Sequence, residues 1–197
     1  MDYHYLLRPC VGRFAGRTKL NEYLRKNLTN FINYRDVENW LDTDQTSIPS
    51  LKDIDVILDF KSSPQLKIIA LYVSPYKRLF YYFLAQLKIS GLQEFLSCDK
   101  ITTENFVSFW AQNKDKYLFN LEDLYKEQDG VIIHYKLEYD TLVEDLRKIP
   151  GLELTPEDFL TENREILSHY RTVYTEEIRE WVEKEFSEEI ETRGYTF

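Results

Sequence analysis

The stretch Leu66–Gly91, LKIIALYVSPYKRLFYYFLAQLKISG, changes from a strand pattern to a helix pattern within two residues. Its opening run is mostly aliphatic, which is typical of a strand buried on both faces of a parallel sheet. Ser74 can cap a helix and Pro75 suits its first position, while Gly91 fits its end. The helix is predicted to bury one stripe: Tyr76, Leu79, Phe80, Phe83, Leu84 and Leu87.

Strand and helix patterns alternate along the rest of the chain. Tyr3–Leu7 and Asp55–Phe60 are predicted strands, and Asp129–Glu138 is predicted to begin as a turn and continue as a strand that contains His134. After the first strand, a helix is predicted to bury Leu20, Tyr23, Leu24, Leu28 and Phe31. This alternation predicts an α/β fold with three α/β/α layers around a central, mainly parallel sheet.

Three later helices are marked by their end residues. Thr102 or Thr103 starts the first, and Tyr139 starts the second, which ends at Pro150. The third is predicted to start at Thr175 and to bury one continuous face until a glycine stops it: Ile178, Trp181, Val182, Phe186 and Ile190, then Gly194.

Length, composition and cysteine content predict one soluble, cytoplasmic domain over 1–197. A chain of 197 residues can bury one sizeable core. No apolar run approaches the roughly 20 residues of a membrane helix, which predicts no membrane contact. The two cysteines, Cys10 and Cys98, cannot form a disulfide framework or a cysteine metal site, so a reducing compartment is expected.

Charge is divided unevenly between the two halves of the chain. The net charge of −9 argues against nucleic acid as a partner. Residues 1–100 carry 14 Lys and Arg against 11 Asp and Glu, whereas residues 101–197 carry 11 against 23. A small anionic ligand is therefore expected to bind the amino-terminal half.

The basic stretch Gly12–Leu20, GRFAGRTKL, follows the first predicted strand and opens the first predicted helix. A loop in that position offers unpaired backbone N–H groups and the positive end of a helix dipole, both of which favour phosphate. Its glycines allow close backbone approach, and Arg17 and Lys19 supply charge. The spacing differs from G-x-x-x-x-G-K-[ST], so the stretch is either a phosphate loop or a solvated basic turn.

The second strand-to-helix crossing, YVSPYKRLFYYF over 72–83, resembles a loop of the P-loop-fold sulfotransferases, especially their carbohydrate branch. In that family a buried strand leads into R-[DN]-P-x-x-R-L-x-S-x-Y, and Pro75, Arg78 and Leu79 agree with this pattern. RFAGRTKL is similar to the family's first phosphate loop, P-K-x-[AG]-[GS]-[TS]-[TS]-L. The resemblance continues in VIIHYKLEYDTLVEDLRKIPGL over 131–152 and in the closing helix with its terminal G-Y-x-F.

The resemblance implies a P-loop nucleoside triphosphatase-like sulfotransferase fold. It also implies in-line transfer of a sulfuryl group from 3′-phosphoadenosine 5′-phosphosulfate (PAPS) to a hydroxyl of a carbohydrate or similar acceptor, without a metal. Donor-binding residues are implied at both crossings: Arg13, Ala15, Gly16, Arg17, Thr18 and Lys19 around the 5′-phosphosulfate, and Ser74 and Arg78 near the 3′-phosphate. Val73 and Tyr81 depart from the arginine and serine that bind this phosphate in the family.

Sulfuryl transfer needs cations to stabilise the developing charge and a base to take the proton of the acceptor. Arg13 is the predicted catalytic cation. Asp59 and Glu22 lie near the predicted mouth of the site and are preferred as bases over the three histidines. The sequence shows no cluster with the spacing of metal ligands.

Two other functions stay open. The changes at Val73 and Tyr81 favour a sulfotransferase-fold protein without catalysis, which would serve as an interaction module through its acidic last helix. A nucleotide kinase would share the fold, but the sequence has no evident Walker lysine or magnesium carboxylate motif.

Overall fold

The computed structural model describes six segments of the chain, residues 4–7, 15–32, 66–89, 91–116, 133–152 and 161–197. The chain divides into two compact units. One comprises Met1–Arg13, Arg17–Tyr72 and Tyr125–Thr155, and the other comprises Phe14–Gly16, Val73–Leu124 and Pro156–Phe197. The single domain predicted over 1–197 stays a prediction.

The first unit is built on a parallel sheet. Its described strands are β1 (His4–Leu7), β2 (Phe31–Ile32), β3 (Leu66–Tyr72) and β4 (Tyr135–Glu138). They lie in the order β2-β1-β3-β4, and each pairing among them is parallel. The carboxyl-terminal part of β3 is buried on both faces, as its continuous apolar run predicts. The α/β class and the parallel sheet are thereby confirmed, whereas the predicted strand Asp55–Phe60 lies outside the described residues.

Eight α-helices occupy the described residues: α1 (Ala15–Asn27), α2 (Pro75–Gln86), α3 (Leu92–Ser97), α4 (Thr103–Asn113), α5 (Leu142–Leu146), α6 (Thr161–Ser168), α7 (Glu176–Glu185) and α8 (Ser187–Arg193). Short 3₁₀ helices cover Lys114–Lys116, Tyr139–Thr141 and His169–Thr172. None of these helices combines the length and the apolar character that crossing a membrane requires.

Helix α1 follows β1 and buries Leu20 and Leu24 as predicted, and Leu28, directly after the helix, is buried as well. The predicted Tyr23 is only half-buried. Placing Phe31 on the same helical stripe was wrong. A turn at 29–30 ends the helical segment, and Phe31 pairs with Tyr5 as the first residue of β2. Phe31 keeps helical spacing from the buried leucines, so the apolar pattern alone does not locate the end of the helix.

Helix α2 begins where its sequence predicts. Ser74 caps it, Pro75 is its first residue, and its predicted stripe is buried except for the half-buried Leu87. Gly91 was predicted to end this helix, and that is wrong, because the chain already turns at Lys88 and Gly91 caps α3 instead.

Helices α2 and α8 end in the same type of turn but with different residues. After α2 the turn residue is Lys88, with a φ of 61°, and after α8 it is Gly194, with a φ of 66°. In both turns, two N–H groups bond back to carbonyls of the last helical turn. A left-handed φ strains a residue that has a Cβ but not glycine. In the turn after α2, Lys88 therefore occupies a position at which glycine is usually found.

The final predicted helix is two helices. Its start is confirmed, because the Thr175 hydroxyl accepts a hydrogen bond from the Ile178 N–H at 3.3 Å, and its end at Gly194 is confirmed as well. The prediction of one continuous helix is wrong, because Phe186 has a φ of −113° and a ψ of 24° and separates α7 from α8. The start of α4 at Thr102 is also confirmed, by a side-chain cap on the Asn105 N–H.

Asp145 fixes the connection from β4 to α5. Its buried carboxylate accepts hydrogen bonds from the Glu138 N–H at 2.8 Å, the Thr141 hydroxyl at 3.0 Å and the Lys148 ammonium at 2.6 Å. The predicted continuous helix from Tyr139 is wrong, because these bonds hold the chain in a 3₁₀ turn that only five α-helical residues follow.

His134 was predicted inside a strand but lies just before β4. Its N–H donates to the Ile68 carbonyl at 2.9 Å, and its Nδ1 accepts from the Ile68 N–H at 3.2 Å. The His134 side chain thus accepts a hydrogen bond from the Ile68 N–H of β3. In a regular parallel sheet, a backbone carbonyl of the neighbouring strand would accept that bond.

Acid should remove the stability that Asp145 provides. Burial acts to raise the pKa of Asp145, but Lys148 and the hydrogen bonds from Glu138 and Thr141 outweigh it and lower the pKa below the ordinary 3.8. The ionised carboxylate therefore stabilises the fold above the ordinary pKa, and this contribution is lost as pH falls through the folded-state pKa. We expect Asp145→Asn to cost about 1–3 kcal/mol at neutral pH and little at strongly acidic pH.

Urea unfolding of the wild type and the variant at both pH values measures this difference. Glu144→Gln, at an exposed position beside Asp145, serves as the control and should cost little at either pH. An equal loss for Asp145→Asn at both pH values would contradict the argument.

Replacing Lys88 by glycine should stabilise the second unit, because glycine adopts the left-handed turn without strain. We expect Lys88→Gly to raise the free energy of unfolding by up to about 1 kcal/mol. Gly194→Ala, in the corresponding turn, should lower it by a similar amount. Thermal denaturation of both variants tests the pair, and a destabilising Lys88→Gly would show that the lysine side chain outweighs the backbone strain.

Candidate functional site

The carboxyl-terminal ends of β1 and β3 form the candidate site. The two strands lie side by side, with β2 on the far side of β1 and β4 on the far side of β3. The chain leaves β1 through α1 toward β2, so the strand order reverses between β1 and β3. In open α/β sheets, ligands usually bind outside the carboxyl ends of the strands at such a reversal. Both predicted phosphate-binding stretches, Gly12–Leu20 and Val73–Arg78, follow these two strands in sequence.

Part of the first stretch can be placed. Residues 15–19 form the first turn of α1, so the predicted positions Ala15, Gly16, Arg17, Thr18 and Lys19 are at a helix start. The leading N–H groups of a helix have no partner within it and carry partial positive charge, which favours an anion. Glu22 lies one turn further along α1 and is exposed. Arg13, Asp59 and the side chains of residues 15–19 lie outside the described residues.

The second stretch is seen in full. Ser74 is 5% exposed, and its hydroxyl accepts a hydrogen bond from the Lys77 N–H at 3.5 Å, which caps α2. Its neighbours Val73 and Pro75 are buried too. Ser74 therefore lies at the amino-terminal end of α2, where backbone N–H groups favour an anion, and its side chain already stabilises the helix start.

Arg78 forms a buried ion pair with Glu189 of α8. Its two terminal nitrogens donate to the two carboxylate oxygens at 2.6 and 3.0 Å, and one of them also donates to the Val73 carbonyl at 3.1 Å. Arg78 is 6% exposed and Glu189 is 0% exposed. The Phe186 ring lies 5.4 Å from the guanidinium carbon. The pair thus joins the first turn of α2 to α8 by a bidentate contact.

The pairing keeps Arg78 charged in spite of its burial. Burial acts to lower the pKa of Arg78, but the charge of Glu189 and its hydrogen bonds outweigh this and raise the pKa. The described contacts give Arg78 a structural role, and its predicted contact with a 3′-phosphate stays a prediction.

Glu189 is the important residue that sequence reasoning missed. It belongs to an acidic run, SEEIE over 187–191, in which a solvated face is the default interpretation. Its spacing from Val182 and Phe186 nevertheless continues the buried stripe of α7, and this could have indicated that one carboxylate points inward.

Aromatic side chains surround the start of α2. The Tyr76 hydroxyl donates to Glu183 at 3.2 Å, and the Tyr174 hydroxyl donates to the Tyr76 carbonyl at 2.8 Å. The Phe197 ring packs edge-on against Tyr76, with 5.2 Å between ring centroids. Burial first, and Glu183 second, raise the pKa of Tyr76, so its hydroxyl stays protonated. These rings form the packed core of this part of the second unit.

No family model, no curated protein and no solved structure matches this chain. The likeness to sulfotransferases therefore rests on the sequence motifs alone. Within the six described segments, no group of three His, Cys, Asp or Glu side chains is placed to hold a metal ion.

Removing one partner of the Arg78–Glu189 pair should be costly, because it leaves the other charge buried and unpaired. We expect Glu189→Leu or Arg78→Met alone to lower the free energy of unfolding by about 3–5 kcal/mol. The double variant Arg78→Met with Glu189→Leu should recover most of this loss, since apolar residues of similar volume can replace a buried pair.

Denaturant titration of the three variants measures the coupling. Glu191→Leu makes the same change at an exposed position of α8 and should cost little. A loss below about 1 kcal/mol for either single variant would show that the pair does not hold α8 in place.

Proposed function

We propose that this protein is a small, divergent PAPS-dependent sulfotransferase that acts on a hydroxyl of a carbohydrate or similar acceptor. It would adopt the three-layer, P-loop-type sulfotransferase fold. The observation that carries the proposal is the reversal of strand order between β1 and β3, with a basic stretch leading from β1 into a helix and a capped helix start following β3.

In this proposal the first crossing binds the transferred group. Arg13, Arg17 and Lys19 supply positive charge, Thr18 supplies a hydroxyl, and the N–H groups at the start of α1 point at the 5′-phosphosulfate. The acceptor oxygen attacks sulfur as the bond from sulfur to the phosphate oxygen breaks, and 3′-phosphoadenosine 5′-phosphate leaves. Asp59 or Glu22 takes the proton of the acceptor, and Arg13 stabilises charge on the departing phosphate.

The second crossing would bind the 3′-phosphate more weakly than in the family. Val73 and Tyr81 lack the family's arginine and serine, and the charge of Arg78 is already matched by Glu189. The phosphate would then depend on a hydrogen bond donated by the Ser74 hydroxyl and on the dipole of α2, because Pro75 has no N–H and the Lys77 N–H bonds to Ser74. A charged hydrogen bond contributes about 1.5–3 kcal/mol, so we expect lower affinity for the donor than a complete motif would give.

Calorimetric titration with 3′-phosphoadenosine 5′-phosphate tests the proposal. We expect micromolar binding by the wild type, and Arg13→Ala should weaken it by about 10- to 100-fold, because a charged contact is lost. Arg13→Ala should also abolish sulfuryl transfer without unfolding the chain. Arg25→Ala is the matched control, since it removes an exposed arginine from the far end of α1. Transfer that survives Arg13→Ala would reject the assignment.

A second candidate is a sulfotransferase-fold protein without catalysis that binds a partner through its acidic carboxyl-terminal helices. The internal pairing of Arg78 favours it, as do the changes at Val73 and Tyr81. Helices α7 and α8 also expose a row of glutamates: Glu176, Glu177, Glu180, Glu185, Glu188 and Glu191. The same titration separates the two candidates, because a wild type that shows no binding at millimolar nucleotide supports the interaction module.

A further inference from the structure

A groove of about 240 Å³ lies between the end of α2 and one face of α4. The residues of α4 that line it are spaced along a single helix face: Asn105, Ser108, Phe109, Gln112 and Asn113. Gln86 and Leu87 contribute from α2 and its cap, and Lys100 contributes from the turn before α4. The volume is just below the roughly 300–1,000 Å³ of pockets for drug-sized ligands, so the groove suits a small ligand.

The polar side chains of the groove are held in place by the protein itself. The Asn105 amide nitrogen donates to the Lys100 carbonyl at 2.9 Å, and the Gln112 amide nitrogen donates to the Ser108 hydroxyl at 3.3 Å. The Asn113 amide nitrogen donates to the Phe109 carbonyl at 2.9 Å. Asn105 and Gln112 each use an amide N–H in this way, so their amide oxygens can accept hydrogen bonds from a ligand that carries hydroxyl donors.

The floor and the charge of the groove limit the chemical classes of ligand that it can bind. The floor is formed by carbon atoms of Phe83 and Phe109, which are only 2% and 6% exposed, so a ligand would touch the edges of these rings. Among the described residues that line it, there is no carboxylate, and Lys100 is the one charged side chain, although this half of the chain is strongly acidic. A basic ligand would find more attraction at the exposed glutamates of α7 and α8, and an anionic one would meet a single lysine. The combination of neutral hydrogen-bonding groups over aromatic carbon suits an uncharged, polyhydroxylated molecule.

We propose that this groove is a saccharide-binding subsite. It lies at the carboxyl-terminal end of α2, about 18 Å along the helix from Ser74, so it is separate from the residues proposed to lie near the 3′-phosphate. The inference therefore does not depend on the proposed sulfotransferase activity.

The experiment follows backbone amide resonances of the full chain while glucose, N-acetylglucosamine and maltose are added one at a time, up to about 50 mM. We expect saturable shifts confined to residues 83–87 and 100–113 with at least one of these sugars. The double variant Ser108→Ala with Gln112→Ala should weaken that binding by about tenfold, because two polar contacts are removed. Alanine suits both exposed helical positions, so this variant should stay folded.

The matched control is Gln93→Ala with Ser97→Ala, which removes a Gln and a Ser four residues apart from the exposed face of α3 and leaves the groove intact. It should bind the sugar as the wild type does. Absence of shifts with all three sugars, or shifts that the groove double variant leaves unchanged, would overturn the proposal. Stronger shifts of the same amides by an uncharged peptide would assign the groove to peptide and also overturn it. No nucleotide is present, so these outcomes are independent of donor binding.

Discussion

A guanidinium buried at the start of α2 must have a counter-charge, and Glu189 is the one that the fold supplies. The ion pair with Glu189 also fixes two further contacts of Arg78. The guanidinium donates a hydrogen bond to the Val73 carbonyl and lies against the Phe186 ring. The same side chain thus links the exit from β3, the first turn of α2 and the break between α7 and α8. Helix α8 has to present a carboxylate inward, which explains why one glutamate of an acidic run is fully buried.

The pairing of Arg78 with Glu189 makes the two strand-to-helix crossings chemically different. After β3, the charge of Arg78 is matched by Glu189, and the Ser74 hydroxyl is buried and caps α2. After β1, the sequence places two arginines and a lysine within seven residues, over 13–19. Basic residues are therefore concentrated in the sequence of the first crossing.

Sequence patterns correctly predicted the elements that depend on interactions between residues close together in the chain. The buried run of β3, the Ser-Pro start of α2 and the threonine caps of α4 and α7 each act within a few residues, and each is confirmed. Two errors fall where distant partners decide the structure, because Phe31 pairs with Tyr5 and Glu189 is drawn inward by Arg78. A third is local, since Asp145 reshapes the helix predicted from Tyr139 through side-chain hydrogen bonds to nearby residues. Helical spacing and composition carry no information about such partners. The candidate site itself was predictable only as a sheet edge, from the order of strands and helices.

Helix α2 connects the two candidate ligand sites, and its dipole suits them to different chemistry. Its amino-terminal end carries partial positive charge beside Ser74, which favours an anion such as phosphate. Its carboxyl-terminal end carries partial negative charge beside Gln86 and Leu87, which disfavours an anion and favours a ligand that donates hydrogen bonds. Sugar hydroxyls donate hydrogen bonds, and the amide oxygens of Asn105 and Gln112 on α4 can accept them at the same place. One helix therefore provides opposite electrostatic environments at its two ends, and this argues against binding of the same ligand at both.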